Sequence, residues 1–362
     1  MFGIEAPQSS SSTTTDHRKL QVTGGSTYIV SLPKKWITQN NLKASDFVNI
    51  EQLTNGNIQI TPYKTKAKKN VIEISTQGKD DSSLYVCLIG AYLAGADIIK
   101  ISSEEKISIK HRRTIRNFIR EARGMDLSGD YENIMYIVSL MKQNELPLKF
   151  SLNRMYLLVT QIVEDALSVL DGEDLDILSD LEERERQIDA RRLLIARQVA
   201  MSLQSSSVER ALGVDHFQGM EHVSMARALE RMGDHAHSFA NIILRQRENP
   251  GRNLLRNESI QTPRQHLTTW KTALKKIIHN TNSKDISNII EAKQELHIAM
   301  KELEKFEETL IDSNKYNISS FRFSEKTRRL CAYSIDLAET LINMLMASRM
   351  SIFNEEEKLF EN

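Results

Sequence analysis

"HVSMARALERMGDHAHSFANII", His222 to Ile243, decides the architecture. Met225, Leu229, Met232, Ala236, Phe239 and Ile243 recur at spacings of four and three, which draws one apolar seam along a helix. Such a seam must be buried against other helices, so this stretch belongs to a bundle. Beside it runs a polar stripe of Glu230, Asp234, His237 or Ser238, and Asn241. Glu230 and Asp234 stand at i, i+4, where like charges repel unless a cation lies between them. Carboxylates and imidazole suit zinc, iron or manganese. The spacing is equally compatible with a solvated acidic face paired to Arg184, Arg186, Arg227 and Arg231.

Working outward, the pattern is helical almost throughout from Ser151, with segments expected at 151–171, 174–204, 218–247, 261–282, 284–314 and 320–352. Gly/Pro/Asn/Asp/Ser clusters separate them. Three helices, a Pro-Gly break near 250 and three more suggest a duplicated unit, with repeats at 151–248 and 261–352. "EERERQID" in the second segment repeats the acidic spacing: Glu185 and Asp189 are i, i+4, with Glu182 one turn earlier. Residues 71–148 read as a small α/β unit: strand "VIEIS", helix "SSLYVCLIGAYLAGA", strand "DIIKIS", basic helix "KHRRTIRNFIREARG" and strand "NIMYIVSLM". Arg113, Arg116, Arg120 and Arg123 share one face of that basic helix, as a solvated flank, a partner for acids of the bundle or a phosphate-contacting face.

The front is different. "RKLQVTGGSTYIVSLPKKW" (Arg18–Trp36), "DFVNIEQL" and "NIQITP" alternate with period two, and "TNGN" (Thr54–Asn57) carries a hairpin-type Asn-Gly. The chain has 48 Lys/Arg and 48 Asp/Glu, yet residues 17–69 hold nine Lys/Arg against two Asp/Glu. Cations interleaved with strands can follow a phosphate backbone, although lysines also protect sheet edges. Residues 1–16 read as a disordered Ser/Thr-rich leader without a secretory signal pattern, and 63–70 as a basic linker. Cys87 and Cys331 lie in apolar helical runs, as expected of buried, reduced thiols. The apolar runs are too short for a membrane span, so a cytoplasmic protein without membrane insertion is expected. No P-loop, nucleophile elbow or Cys-His pair of plausible spacing is found, so no enzyme activity is expected.

Two resemblances sharpen this reading. "LERMGDHA" (Leu229–Ala236) resembles the "LERIGDHA" signature of the PhoU phosphate-uptake regulators, and "EERERQID" resembles their second-helix motif. The resemblance implies two three-helix repeats, with Glu185, Asp189, Glu230 and Asp234 as ligands for iron or zinc. Gly233 then serves close helix approach. In the second repeat "LCAYSIDLAETLINM" (Leu330–Met344) keeps only Glu339 where the aspartate should be, so metal is expected on the first repeat only. The front, residues 17–62, resembles the SpoVT/AbrB swapped-hairpin family, with "KASD" in place of its Pro-Gly-Asp. That implies a homodimer closed by hairpin exchange, presenting Arg18, Lys19, Lys34 and Lys35 to DNA. The fold class expected is thus multidomain α+β: swapped-hairpin β domain, small α/β unit and all-α bundle. The combination is similar to archaeal PhoU-type regulators and implies a phosphate-responsive transcriptional regulator. The alternative is an adaptor whose bundle docks on a phosphate transporter or a sensor protein.

Overall fold

A computed structural model of the chain describes residues 16–52, 56–63, 69–141, 147–248, 257–283, 285–312 and 318–350. The leader up to residue 15, most of the basic linker and the first half of "TNGN" lie outside them. The chain divides into two compact units, Met1–Lys69 and Asn70–Asn362.

In the first unit, β1 (Gln21–Thr23) and β2 (Thr27–Ile29) pair antiparallel, with Gln21 opposite Ile29. Gly24 (φ +61°) and Gly25 (φ +86°) turn the chain through the left-handed region that disfavours a Cβ. Pro33 then caps the six-residue α1 (Lys34–Gln39). In "KASD", Ser45 takes the left-handed position (φ +73°), and the Lys43 N–H donates to Asp46 Oδ2 at 2.6 Å. The turn therefore closes without the Pro-Gly of the resembling family. β3 (Val48–Gln52) and β4 (Ile58–Pro62) form a second hairpin, separate from the first. Two two-stranded ribbons cannot enclose a core. No described residue of this unit is buried, and Leu20, Val22, Tyr28, Phe47, Ile50 and Ile58 all stand well exposed.

The second unit opens with the α/β element: β5 (Val71–Ser75), α2 (Asp81–Leu93), β6 (Ile98–Ser102), α3 (Ile109–Glu121), β7 (Met125–Asp130) and β8 (Ile134–Ser139). Sheet order is β5-β6-β8-β7, parallel between β5 and β6 and antiparallel elsewhere. Asp80 and Ser108 cap α2 and α3 by accepting from the backbone N–H of Ser83 and His111. Leu84, Leu88, Tyr92, Ile99, Ile101, Ile115, Phe118 and Ile137 are fully buried between helices and sheet. The sequence reading had no strand over "MDLSGD". This stretch forms β7, an edge strand with a bulge between Leu127 and Gly129. A Cβ at Gly129 would lie 3.0 Å from the Tyr131 ring, so glycine admits that ring at the bulge.

The bundle follows: α4 (Leu148–Asp171), α5 (Leu181–Gln204), α6 (Ser206–Leu212), α7 (His216–Glu248), α8 (Asn257–Ser283), α9 (Ile286–Asp312) and α10 (Ile318–Ala347). The expected segment 174–204 is a 3-10 turn at Leu175–Leu178 followed by α5, and the break after it contains the short α6. The seam of α7 is buried along its whole length, from Met225 to Ile243. Phe239 meets Phe323 edge-on at 4.7 Å, and the Trp270 indole donates to Ser334 Oγ at 2.9 Å. Among the described residues α10 alone is long and apolar enough to cross a membrane, but half of its apolar window is buried in the bundle. Cys331 is buried, its thiol pushed up to about 12 by desolvation, whereas Cys87 is only half-buried.

One helix serves both cores. Leu193 of α5 completes the α/β core, while Ile188 and Ile195 pack into the bundle. Buried Arg197 donates to the carbonyls of Tyr92 (2.6 Å) and Ala96 (2.8 Å), with its guanidinium 4.8 Å from the Tyr92 ring. The bond pair ties α5 to the turn that follows α2, where the Tyr92 carbonyl also accepts the Gly95 N–H at 3.1 Å.

Where α5 meets α7, Gly233 lies on Ile188. A Cβ on Gly233 would fall 3.0 Å from Ile188 Cδ1 and 3.2 Å from Cγ2. Gly233→Leu therefore forces the helices apart and should cost about 1–3 kcal/mol by overpacking. Chemical denaturation of the metal-free protein measures this; unchanged stability would show that the close approach is not required.

Candidate metal centre on the first helical repeat

The close contact at Gly233 sets what lies beside it. Asp189 follows Ile188 on α5, and Asp234 follows Gly233 on α7. Along α5 the acids are Glu182, Glu185 and Asp189; along α7 the polar series is Glu230, Asp234 and His237. The helices run antiparallel, so the two series meet as two triads. Asp189, Glu230 and Asp234 form one, and Glu182, Glu185 and His237 the other; within each triad the potential ligand atoms lie within 4.8 Å of one another. His237 Nε2 is 2.9 Å from Glu182 Oε1, and Nδ1 is 3.5 Å from Glu185 Oε1.

Of the four acids singled out from the sequence, Asp189, Glu230 and Asp234 meet in one triad and Glu185 falls in the other. Glu182 and His237 join Glu185; their signal was present in the i, i+3, i+7 and i, i+4, i+7 series, but i, i+4 acid pairs alone were read as ligands. Of the four arginines expected to neutralise this face, two are engaged elsewhere, while Arg227 and Arg231 act on Glu230. Arg184 pairs with Asp165 and Asp180, and Arg186 with Glu183. Arg231 approaches Glu230 and Asp234 only at 3.7 and 3.8 Å, and Arg192, not anticipated, reaches Glu230 at 3.4 Å.

The charge is accordingly under-compensated. Burial, then repulsion from Glu230, Asp234 and Glu185, pushes the Asp189 carboxyl up to about 7. Burial and Asp234 raise Glu230; burial raises Asp234 against the pull of Arg231 and His237. Glu185 is raised by burial despite His237. Half-buried carboxylates that repel one another are held for a cation or a proton. Oxygen ligands with one imidazole fit iron, zinc or manganese.

The second repeat lacks this arrangement among the described residues. Glu339 is tied to Lys293 at 2.7 Å. His235, on α7 but facing α10, stacks on Tyr333 at 5.6 Å, and burial with nearby Lys326 pushes its imidazole down to about 4.

Comparison with known families bears directly on these helices: residues 152–243, from α4 to α7, match the PhoU domain model. The chain carries a PhoU domain. Its front, residues 21–68, matches the model for antidote-toxin recognition MazE, bacterial antitoxin, so a MazE/AbrB-like domain precedes the PhoU domain. No curated protein and no solved structure matches the chain. The PhoU match covers the repeat that bears both triads.

In the MazE/AbrB-like domain Arg18, Lys19, Lys34 and Lys35 are all exposed. Lys34 and Lys35 open α1; Arg18 is paired with Asp16 at 2.8 Å. They are carried by separate elements of the chain, and the strand residues Val22, Tyr28 and Ile29 beside them are exposed as well.

The metal-free PhoU domain should show a pH signature. With Asp189 raised to about 7 from its ordinary 3.8, the folded chain holds a proton that the unfolded chain has released. Stability from this carboxyl is therefore greatest near and below pH 4 and falls as pH rises towards 7. After chelation, calorimetry should show that the difference in melting temperature between wild type and Asp189→Asn changes in this direction from pH 5 to pH 8. Added iron or zinc should stabilise the wild type more at pH 8 than at pH 5, because metal competes with protons. An Asp189→Asn difference independent of pH would refute the assignment.

Proposed function

We propose that the chain is a phosphate-responsive transcriptional regulator of phosphate uptake that acts as a cytoplasmic homodimer. The MazE/AbrB-like domain binds DNA through Arg18, Lys19, Lys34 and Lys35. The PhoU domain holds iron or zinc at Asp189, Glu230 and Asp234, with Glu182, Glu185 and His237 as the adjoining set. The observation that carries the reading is the union, in one chain, of a PhoU domain with a β module whose apolar strands and cations are both exposed. Large apolar exposure marks an interface, and cations on the same module supply the charge for a phosphate backbone. Both families are regulatory, and we assign the chain no catalytic step.

A second reading, an adaptor that binds protein, draws on the matched model itself, whose description is of toxin recognition. There the front module only dimerises or grips a protein, and the bundle docks on a phosphate transporter or sensor.

Salt dependence separates the two. A dimer bearing the four cations on each chain can neutralise up to about eight phosphates, each adding about −0.9 to the slope of log K against log salt. Anisotropy titrations on genomic fragments should give a slope of about −5 to −7, and Lys34→Ala should flatten it by about two. Absence of binding at low salt would leave the adaptor. Val22→Asp with Ile50→Asp should convert the full chain from dimer to monomer by light scattering and abolish DNA binding; a dimer that persists would place the interface elsewhere.

A further inference from the structure

A second charged locus lies where the α/β element meets the bundle, and the reading above does not use it. The arginines of α3 divide into two sets. Arg112 is satisfied by Asp130 and by the carbonyls of Tyr131 and Glu132, and Arg116 reaches Asp130 at 3.4 Å. Arg120, further along the helix, is not paired in this way, and Arg123, two residues past the end of α3, feels the charge of Glu183 across the groove. With Asn117 they form one wall of an open groove of about 660 Å³ whose other wall is Arg186 and Gln187 of α5. Two acids also line it, and both have partners. Glu121 accepts the Tyr85 hydroxyl, and Glu183 is held by Arg186 at 2.9 Å and Gln187 at 3.3 Å.

Beyond Gln187, one turn along α5, stands Arg191. Besides burial, the charges that act on it are those of Arg123 and Arg154, both of its own sign. Nε of Arg191 and Nε of Arg123 are each buried and find no hydrogen-bond partner among the described residues. A half-buried guanidinium that faces other guanidiniums and leaves a donor unused is destabilising by itself. Three arginines thus line the groove against two acids, and both acids are already engaged by other groups. An anion entering the groove would meet a local excess of positive charge.

We propose that this groove between α3 and α5 binds a phosphoanion with more than one phosphoryl group: an oligophosphate, or the phosphate chain of a nucleotide. Guanidinium forks match phosphate oxygens in pairs. Asn117 and Gln187 add neutral donors. The groove lies in the size range of sites for ligands of tens of atoms, more than one orthophosphate fills. Arg120, exposed, meets the ligand first; Arg123, half-buried, takes the charge that desolvation makes more valuable. The groove adjoins the pocket lined by Asp189 and Glu230, with Glu121 and Arg186 common to both, so the test is run with a chelator present.

The test is thermal shift and calorimetric titration of the full chain with orthophosphate, tripolyphosphate and ATP, with sulfate as control. Tripolyphosphate should raise the melting temperature saturably and bind more tightly than orthophosphate or sulfate. ATP binding above tripolyphosphate would identify the nucleotide as the source of the phosphate chain. Arg120→Ala and Arg123→Gln should each weaken binding about tenfold, the loss of one charge-assisted hydrogen bond. Arg123→Gln should also leave the ligand-free protein as stable as wild type or more so, which a purely structural arginine would not do. Asp234→Asn and Lys34→Ala should bind as wild type. The proposal is overturned if none of the phosphoanions binds, if sulfate binds equally, or if binding survives Arg120→Ala and Arg123→Gln. It is equally overturned if binding is lost in Asp234→Asn or Lys34→Ala, which would locate it at the metal centre or the front module.

Discussion

The contact between Gly233 and Ile188 is the constraint on which the helical half depends. Helix axes pack closest where one side lacks a side chain, and α7 supplies that point in mid-helix at a propensity cost of about 1 kcal/mol. The cost is offset by position. Because Asp189 and Asp234 each follow a contact residue, the approach of the backbones is also the approach of the carboxylates. A slightly wider crossing would return Asp189 to solvent and relieve the repulsion that pushes it to about 7. Close packing and charge crowding are thus one geometric fact seen on adjacent faces of the same two helices.

That geometry explains what could be read from sequence and what could not. The α7 seam was legible because six apolar residues at helical spacing have no other use, and all six are buried. Glu185, Asp189, Glu230 and Asp234 were legible through their spacing and the PhoU-like strings around them; the fold brings the last three into one triad and puts Glu185 in its neighbour. His237 was visible on the polar stripe, but its pairing with Glu182 depends on the antiparallel offset of α5 and α7, which no local pattern encodes. β7 was missed because "MDLSGD" contains a glycine and a serine where a strand signal needs branched or aromatic residues; its partner β8 imposes the extended form. The arginines of α3 looked equivalent in sequence. Asp130, at the far end of that missed strand, is what divides them into paired and unpaired sets.

α5 couples the α/β element to the bundle. Its outer face carries Arg197, fixed to the end of α2, and its inner face carries the acids and Ile188. A helix held by two cores is hard to tilt for one without disturbing the other. Tyr85 of α2 lies near enough to Asp189 for that carboxylate to raise the phenol, after burial and the hydrogen bond to Glu121. The neighbourhood of the acids is thus built partly by a segment outside the residues that match the PhoU model.

The first unit has a different logic, since none of its described residues is buried within one chain. In the dimer proposed above, a front module completed by a second copy makes the two chains share one fate. In a cell holding an intact and a damaged allele, random pairing at equal expression leaves only a quarter of the dimers wholly intact. Damage confined to the bundle would still enter those pairs, because the strands that select the partner lie at the other end of the sequence. Such alleles should behave as dominant, whereas alleles that remove the front strands should be recessive.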